Sequence, residues 1–261
     1  MRANKLKELW SQDKSALGGW LGIPSSSSAE LMAHAGFDWL CIDMQHGSID
    51  YQVALTMLQA ISTTDTVPIV RVPWNEPGII MKSLDAGAYG VIIPMVNTRA
   101  EAEAAVAACR YAPAGVRSYG PARAVLYAGL DYFPNANAAV LCIPMIETKE
   151  ALANLDDIVG TPGVDAVFIG PSDLSVSLGL PPGYDNDAPS FVDGVAAVVA
   201  ACKKHNVIPG VFAGTAAVAR KRIQQGFRLV QVVDDGRTMV LGAAAALSEL
   251  GTARQAPDTA V

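Results

Sequence analysis

Eight short apolar runs recur along the chain, and the stretches between them carry the apolar–polar spacing of helices. The runs are "GWLGI" (19–23), "WLCIDM" (39–44), "IVRVP" (69–73), "GVIIPM" (90–95), "VLCIPMIE" (140–147), "AVFIG" (166–170), "PGVFA" (209–213) and "LVQVV" (229–233). They are continuous rather than alternating, the pattern of strands covered on both faces. Helix-start signals follow them. Ser27 and Glu30, and Thr98 and Glu101, have capping-box spacing; Asn75 precedes "EPG", and Thr148 precedes "KEALANL". Three joints, "HAGFDWLCID", "DAGAYGVIIP" and "QQGFRLVQVV", place a glycine where a helix would end and a strand begin. Eight strands alternating with helices predict an α/β fold, a (β/α)8 TIM barrel. The alternative, an open doubly wound sheet, would carry a GxGxxG fingerprint after its first strand, and none is present.

The segment 111–138, "YAPAGVRSYGPARAVLYAGLDYFPNANA", breaks this rhythm. Its tyrosines, Arg117 and Arg123 favour an ordered lid or wall over a disordered loop.

Composition narrows the class. The chain has 261 residues, 51% hydrophobic and 17% charged, with a net charge of −6. That length suits one large core, expected over 1–250, with a disordered tail at 251–261. The acidic balance argues against nucleic acid as a partner, which a basic face would have to meet. Neither a signal-peptide h-region nor a membrane-length apolar span is evident. Cys41, Cys109, Cys142 and Cys202 show no CxxC spacing. A reduced, cytoplasmic protein is expected.

In a TIM barrel, chemistry sits at the carboxyl ends of the strands. The second run ends there in Asp43, Gln45 and His46; the third carries Arg71; the fifth ends in Glu147. Asp173 follows the sixth, and the eighth leads to Asp234 and Asp235. Glu147 and Asp173, at the ends of neighbouring strands, form an oxygen-donor pair suited to Mg²⁺ or Mn²⁺ with open positions, Co²⁺ being a further possibility. Each could instead cap the helix that follows it. Arg71 in an apolar strand calls for a buried partner, Asp43 or Asp85, and a catalytic role is compatible with that pairing. His34 and His205 read as helix C-terminal residues, whereas His46 lies in a strand-to-loop passage at the expected mouth. Too few histidines are present for a binuclear zinc site, and no lysine falls in a strand to form a Schiff base.

These residues carry a resemblance. "WLGIPSSSSAELMAHAGFDWLCIDMQHG", "PIVRVPWNEPGIIMKSLDAGAYGVIIPMV", "YAPAGVRSYG", "IETKEALANLDDI" and "GVDAVFIGPSDLSVSLG" resemble the HpcH/HpaI aldolases over roughly residues 17–250. The resemblance implies a metal-dependent class II pyruvate aldolase that cleaves 4-hydroxy-2-oxo acids reversibly to pyruvate, or a close analogue such as hydroxypyruvate, and an aldehyde. It implies a barrel assembled as a homo-oligomer, a hexamer with an exchanged C-terminal helix. By the same resemblance Glu147 and Asp173 hold the metal, and Arg71 bonds the keto oxygen. His46, oriented by Asp85, acts as the base on the C4 hydroxyl. The backbone of Ser172 and Asp173 holds the carboxylate, with Trp20 and Gln45 close by. Tyr119 and Arg123 are candidates for the aldehyde side. Two departures stand out: Gln45 replaces a glutamate and Met145 a glutamine of the better-known members.

Two other functions compete. A citryl- or malyl-CoA-type lyase would need a basic groove for nucleotide phosphates, for which Arg117 and Arg123 are the main candidates. A non-catalytic oxo-acid binder would keep the barrel and bind pyruvate without turnover.

Overall fold

The computed structural model describes residues 1–251; the tail expected to be disordered lies, from residue 252 on, outside the described residues. Eight strands form a closed parallel barrel in chain order. They are β1 Ala16–Leu21, β2 Trp39–Asp43, β3 Val67–Arg71, β4 Gly90–Ile93, β5 Leu141–Ile146, β6 Ala166–Ile169, β7 Ile208–Phe212 and β8 Leu229–Asp234. The helices are α1 Lys5–Ser11, α2 Ser26–Ala33, α3 Tyr51–Ile61, α4 Pro77–Asp85, α5 Arg99–Cys109, α6 Ala122–Ala128, α7 Tyr132–Ala139, α8 Lys149–Ala153, α9 Leu155–Val159, α10 Pro171–Ser177, α11 Pro189–His205, α12 Ala216–Gln224 and α13 Asp235–Glu249. No helix among the described residues is long and apolar enough to cross a membrane.

Side chains alternate across a strand, so one parity fills the barrel and the other meets the helices. Trp39 and Cys41 of β2, Ile69 of β3, Leu141, Ile143 and Met145 of β5, and Phe168 of β6 share the inner cluster. Leu40 and Ile42, Val70, Cys142 and Ile146, and Val167 and Ile169 share the outer one. Continued upward, the inner parity reaches Asp43, Arg71 and Glu147 at the ends of β2, β3 and β5. The polar residues that close the apolar runs are therefore the top layer of the barrel interior.

Local signals mostly act as read. Thr98 and Glu101 form a capping box, and Thr148 caps α8. Gly36, Gly87 and Gly226 take positive φ at the three repeated joints. Two caps differ from expectation: Ser25, not Ser27, caps α2, and Glu76, not Asn75, caps α4. In a run of four serines each could start the helix; Ser25 does so, its side chain accepting the Ser28 N–H. α1 was not foreseen; its Leu6 is fully buried in the inner cluster and closes the barrel from below.

The segment 111–138 forms α6 and α7 with a connecting loop. Because it links a helix, α5, to the start of β5, it lies at the amino-terminal end of the barrel. In this chain it is not a wall of the mouth.

Candidate active site

A cavity of about 430 Å³ opens at the carboxyl ends of the strands, lined among others by Trp20, Asp43, His46, Arg71, Ser172 and Asp173. At its centre is Asp43, register partner of Arg71 on the next strand. The Arg71 guanidinium donates from Nε to Asp43 Oδ1 at 2.8 Å and from Nη2 to Oδ2 at 2.5 Å. Trp20 Nε1 donates to Oδ2 at 3.1 Å, and the backbone N–H groups of Gln45 and His46 donate to Oδ1 at 3.0 and 3.3 Å. One carboxylate thus ties together β1, β2, β3 and the turn carrying His46. Burial alone would raise the Asp43 pKa, but the Arg71 hydrogen bonds and charge, with Trp20 and the Gln45 amide, hold it below the usual range. Burial likewise opposes the Arg71 charge, and Asp43 more than restores it. Of the two partners open for Arg71, the structure selects Asp43. The guanidinium also lies 4.9 Å from the Trp20 ring centroid, a cation–π contact.

Glu147 sits under the cavity floor, 1% exposed. Its Oε1 accepts the Met95 N–H at 2.7 Å. On the other side Gly170 leaves room for Oε2: a Cβ there would stand 2.5 Å from it. Burial, reinforced by the nearby Asp173 charge, pushes the Glu147 pKa up to about 7 against the pull of the Met95 amide and Arg71. Burial is the main cause of this rise, and the neighbouring carboxylate adds to it, so a cation at the pair would relieve both. Among the described residues no group of three or more His, Cys, Asp or Glu converges. Two carboxylates with open positions fit a hard divalent ion that keeps water and substrate oxygens.

Asp173 lies in the first turn of α10, and the N-cap Gly170 supplies no side-chain cap. The early amide N–H groups, Ser172 and Asp173 among them, lack partners within the helix, and both residues line the cavity. His46 is exposed at the rim, on the turn set by the Asp43 carboxylate. Gln45 does not line the cavity, and its side-chain oxygen is buried without a partner. Met145 does line it.

The remaining candidates lie elsewhere in this chain. Asp85, at the end of α4, pairs with Arg117 Nη2 at 2.6 Å rather than with His46. Arg117 is 4% exposed and also donates to the Tyr132 hydroxyl. Arg123 is engaged by the Ala86 and Leu58 carbonyls and the Ser62 hydroxyl. Tyr119 is 70% exposed and packs on Tyr111 and Phe133. None of the four lines the cavity. Arg117 and Arg123 consequently supply no basic groove at the mouth for a nucleotide. Asp43 emerges as the organising group, and Tyr184 and Phe212 as aromatic walls that the sequence reading did not single out.

Fold and site together define a TIM-barrel protein with its acid, guanidinium and imidazole groups gathered at the carboxyl mouth. Residues 17–241 match the HpcH/HpaI aldolase/citrate lyase family, and the chain belongs to it. It is 43% identical to a hydroxypyruvate/pyruvate aldolase of Rhizorhabdus wittichii over 232 residues, 89% of this chain and 92% of the relative. It is 39% identical to a 4-hydroxy-2-oxo-heptane-1,7-dioate aldolase of Salmonella dublin, with 95% of each chain covered. A crystal structure of a family member from Burkholderia cenocepacia superposes with a TM-score of 0.89 at 37% identity, covering 95% of this chain and 99% of that one.

Proposed function

We propose that this protein is a divalent-metal-dependent class II pyruvate aldolase, a carbon–carbon lyase that cleaves 4-hydroxy-2-oxo acids to pyruvate, or hydroxypyruvate, and an aldehyde. The observation that carries the reading is the gathering at one cavity of the Arg71–Asp43 pair, His46 and Asp173, with Glu147 beneath its floor. The relatives' names support the same chemistry.

Cleavage transfers the C4 hydroxyl proton to a base, turns C4–O into a carbonyl and breaks C3–C4. The released electron pair becomes the enolate of the oxo acid, and a proton added at C3 completes pyruvate. Arg71 gives two N–H groups to Asp43 and keeps others for the keto oxygen, where negative charge grows. Loss of such a donor typically costs about 3–4 kcal/mol in the transition state, or ~10²–10³ in rate. His46 is the base for the C4 hydroxyl, directly or through one water, a role worth roughly 10²–10⁴. The α10 amides of Ser172 and Asp173 hold the carboxylate, and Trp20 fixes the plane of the oxo acid. Glu147 and Asp173 would hold Mg²⁺, Mn²⁺ or Co²⁺, which when bound supplies Lewis-acid stabilisation of the developing charge.

All four cysteines are free and buried, which supports a reducing, cytoplasmic setting. A homo-oligomer is proposed in keeping with the family; α13 exposes Met239, Val240, Leu241 and Leu247, a face suited to a second copy. The test of function is pyruvate α-proton exchange in D₂O. Exchange that requires added Mg²⁺ or Mn²⁺ supports the proposal; no exchange with either ion, in folded protein, overturns it.

A further inference from the structure

The connection between α10 and α11, residues 178–188, has no regular secondary structure and runs over the carboxyl mouth. Its Tyr184 ring lines the cavity. Contacts on several sides hold that ring, among them those with Phe212, Arg237 and Gly214. It meets Phe212 at a centroid distance of 5.4 Å. The Arg237 guanidinium lies 5.3 Å from its centroid. On another side it presses on Gly214, which has φ +67°; a Cβ there would stand 2.5 Å from Tyr184 Cδ2. The next residue anchors the loop: Asp185 pairs with Lys221 and Arg222 of α12, each at 2.7 Å, and the Arg222 side chain is 2% exposed. Tyr184 is therefore a preorganised wall.

The charges around the cavity are lopsided. Among the described residues lining it, Arg71 is the only arginine or lysine, and Asp43 holds it. Asp234 and Asp235 line the same cavity. Asp235 is occupied by the Gly22 and Ile23 amides, and Asp234 by the Arg237 amide. With the oxo-acid end fixed by Arg71 and α10, the electrophile must point toward the open rim, where it meets an aromatic wall and two aspartates. A terminal carboxylate there would find no free cation among the lining residues, the Arg237 guanidinium lying against the Tyr184 ring, and would lose hydration beside like charges.

We infer that Tyr184, with Phe212, is a specificity-determining wall that selects uncharged aldehydes with a short apolar chain over aldehydes ending in a carboxylate. This rests on the aldolase reading and names the substrate class of the same site. In the synthetic direction, pyruvate C3 loses a proton and bonds to the aldehyde carbon, whose oxygen takes up a proton. The aldehyde's chain lies along the Tyr184 and Phe212 rings.

The test compares kcat/KM for aldol addition of pyruvate to propanal and to succinic semialdehyde, using full-length, metal-loaded protein. Wild type is expected to favour propanal at least tenfold. Tyr184→Ala should shrink that ratio at least fivefold, chiefly through the KM for propanal, whereas Tyr184→Phe should keep it within twofold. Taking a ratio cancels any general loss of activity in a poorly folded variant. A wild-type preference for succinic semialdehyde, an unchanged ratio in Tyr184→Ala, or a Tyr184→Phe ratio matching that of Ala would overturn the inference. Those results leave pyruvate proton exchange intact. Absence of exchange in wild type would instead remove the aldolase reading, and the inference with it.

Discussion

Replacing Asp43 by alanine should damage stability and activity together, by amounts that follow from its contacts. The substitution strips the acceptor from five N–H donors: two on Arg71, the Trp20 indole and the backbone amides of Gln45 and His46. The largest consequence is the Arg71 guanidinium, 8% exposed and left without a counter-charge. Breaking a buried pair from one side costs about 3–5 kcal/mol. The two backbone amides are partly buried and can turn to water, so they add at most about 1 kcal/mol each, and not additively. A total near 4–6 kcal/mol is a large share of the roughly 5–15 kcal/mol that holds a domain together. Asp43→Asn keeps the shape and one acceptor, so it should lose about half as much. Urea denaturation gives the stability change, and pyruvate proton exchange gives the activity, expected to fall ~10²–10³ once Arg71 is free to drift. The wild-type contribution is also pH-dependent. Because the folded carboxyl is held below its ordinary value, its stabilisation is present above the unfolded pKa near 3.8 and is lost as the pH falls through the lower folded value. Asp43→Ala should therefore lose less on acidification than wild type. An Asp43→Ala protein within 1 kcal/mol of wild type, with exchange intact, would refute the view that this carboxylate organises the site.

Other outcomes are equally specific. Chelation by EDTA or Glu147→Ala should abolish both exchange and cleavage, whereas His46→Ala should lower cleavage of a 4-hydroxy-2-oxo acid ~10²–10⁴ and leave a measurable residue; comparable silence in all three would contradict the separate roles. Glu147, pushed up to about 7 from about 4.5, binds its proton more tightly folded than unfolded, so the stability it allows is complete below pH 4.5 and lost as the pH rises through 7. In metal-free protein Glu147→Gln should thus gain about 3 kcal/mol on wild type between pH 4.5 and 8 by urea denaturation, and a constant gap would disprove the linkage. Gly170→Ala sets a methyl 2.5 Å from Glu147 Oε2 and 2.9 Å from Met145 Cε. It should cut activity at least tenfold, with an unchanged far-ultraviolet circular dichroism spectrum; full activity would show that the Glu147 carboxylate needs no such space.

The barrel was legible in the sequence because both strand faces are buried and each strand stands out as an apolar run. The parity Trp39, Cys41, Asp43 and Leu141, Ile143, Met145, Glu147 could also be read, since it follows from the two-residue repeat alone. Pairings across the fold were less accessible. Arg71 had two plausible acids in sequence, and only the β2–β3 register decides for Asp43. Tyr119 and Arg123 looked suited to a substrate wall, but chain direction puts a helix-to-strand connection at the end away from the mouth. Tyr184 went unread for the opposite reason: "GLPPGYDNDAP" has turn chemistry and no periodicity, and what marks the residue is Gly214, distant in sequence.

The anchoring of residues 178–188 bears on how such an enzyme can diversify. Its ion pairs run to α12, whereas the groups around Asp43 and Glu147 are carried by the staves beneath. On the proposed reading, exchange of that loop would remodel the electrophile's side of the chamber while Asp43, Arg71 and Glu147 stay at the ends of the barrel strands, provided that α10, which carries Ser172 and Asp173, keeps its place. Selection, natural or in the laboratory, has a place to write a new preference while the older half of the reaction stays as it was.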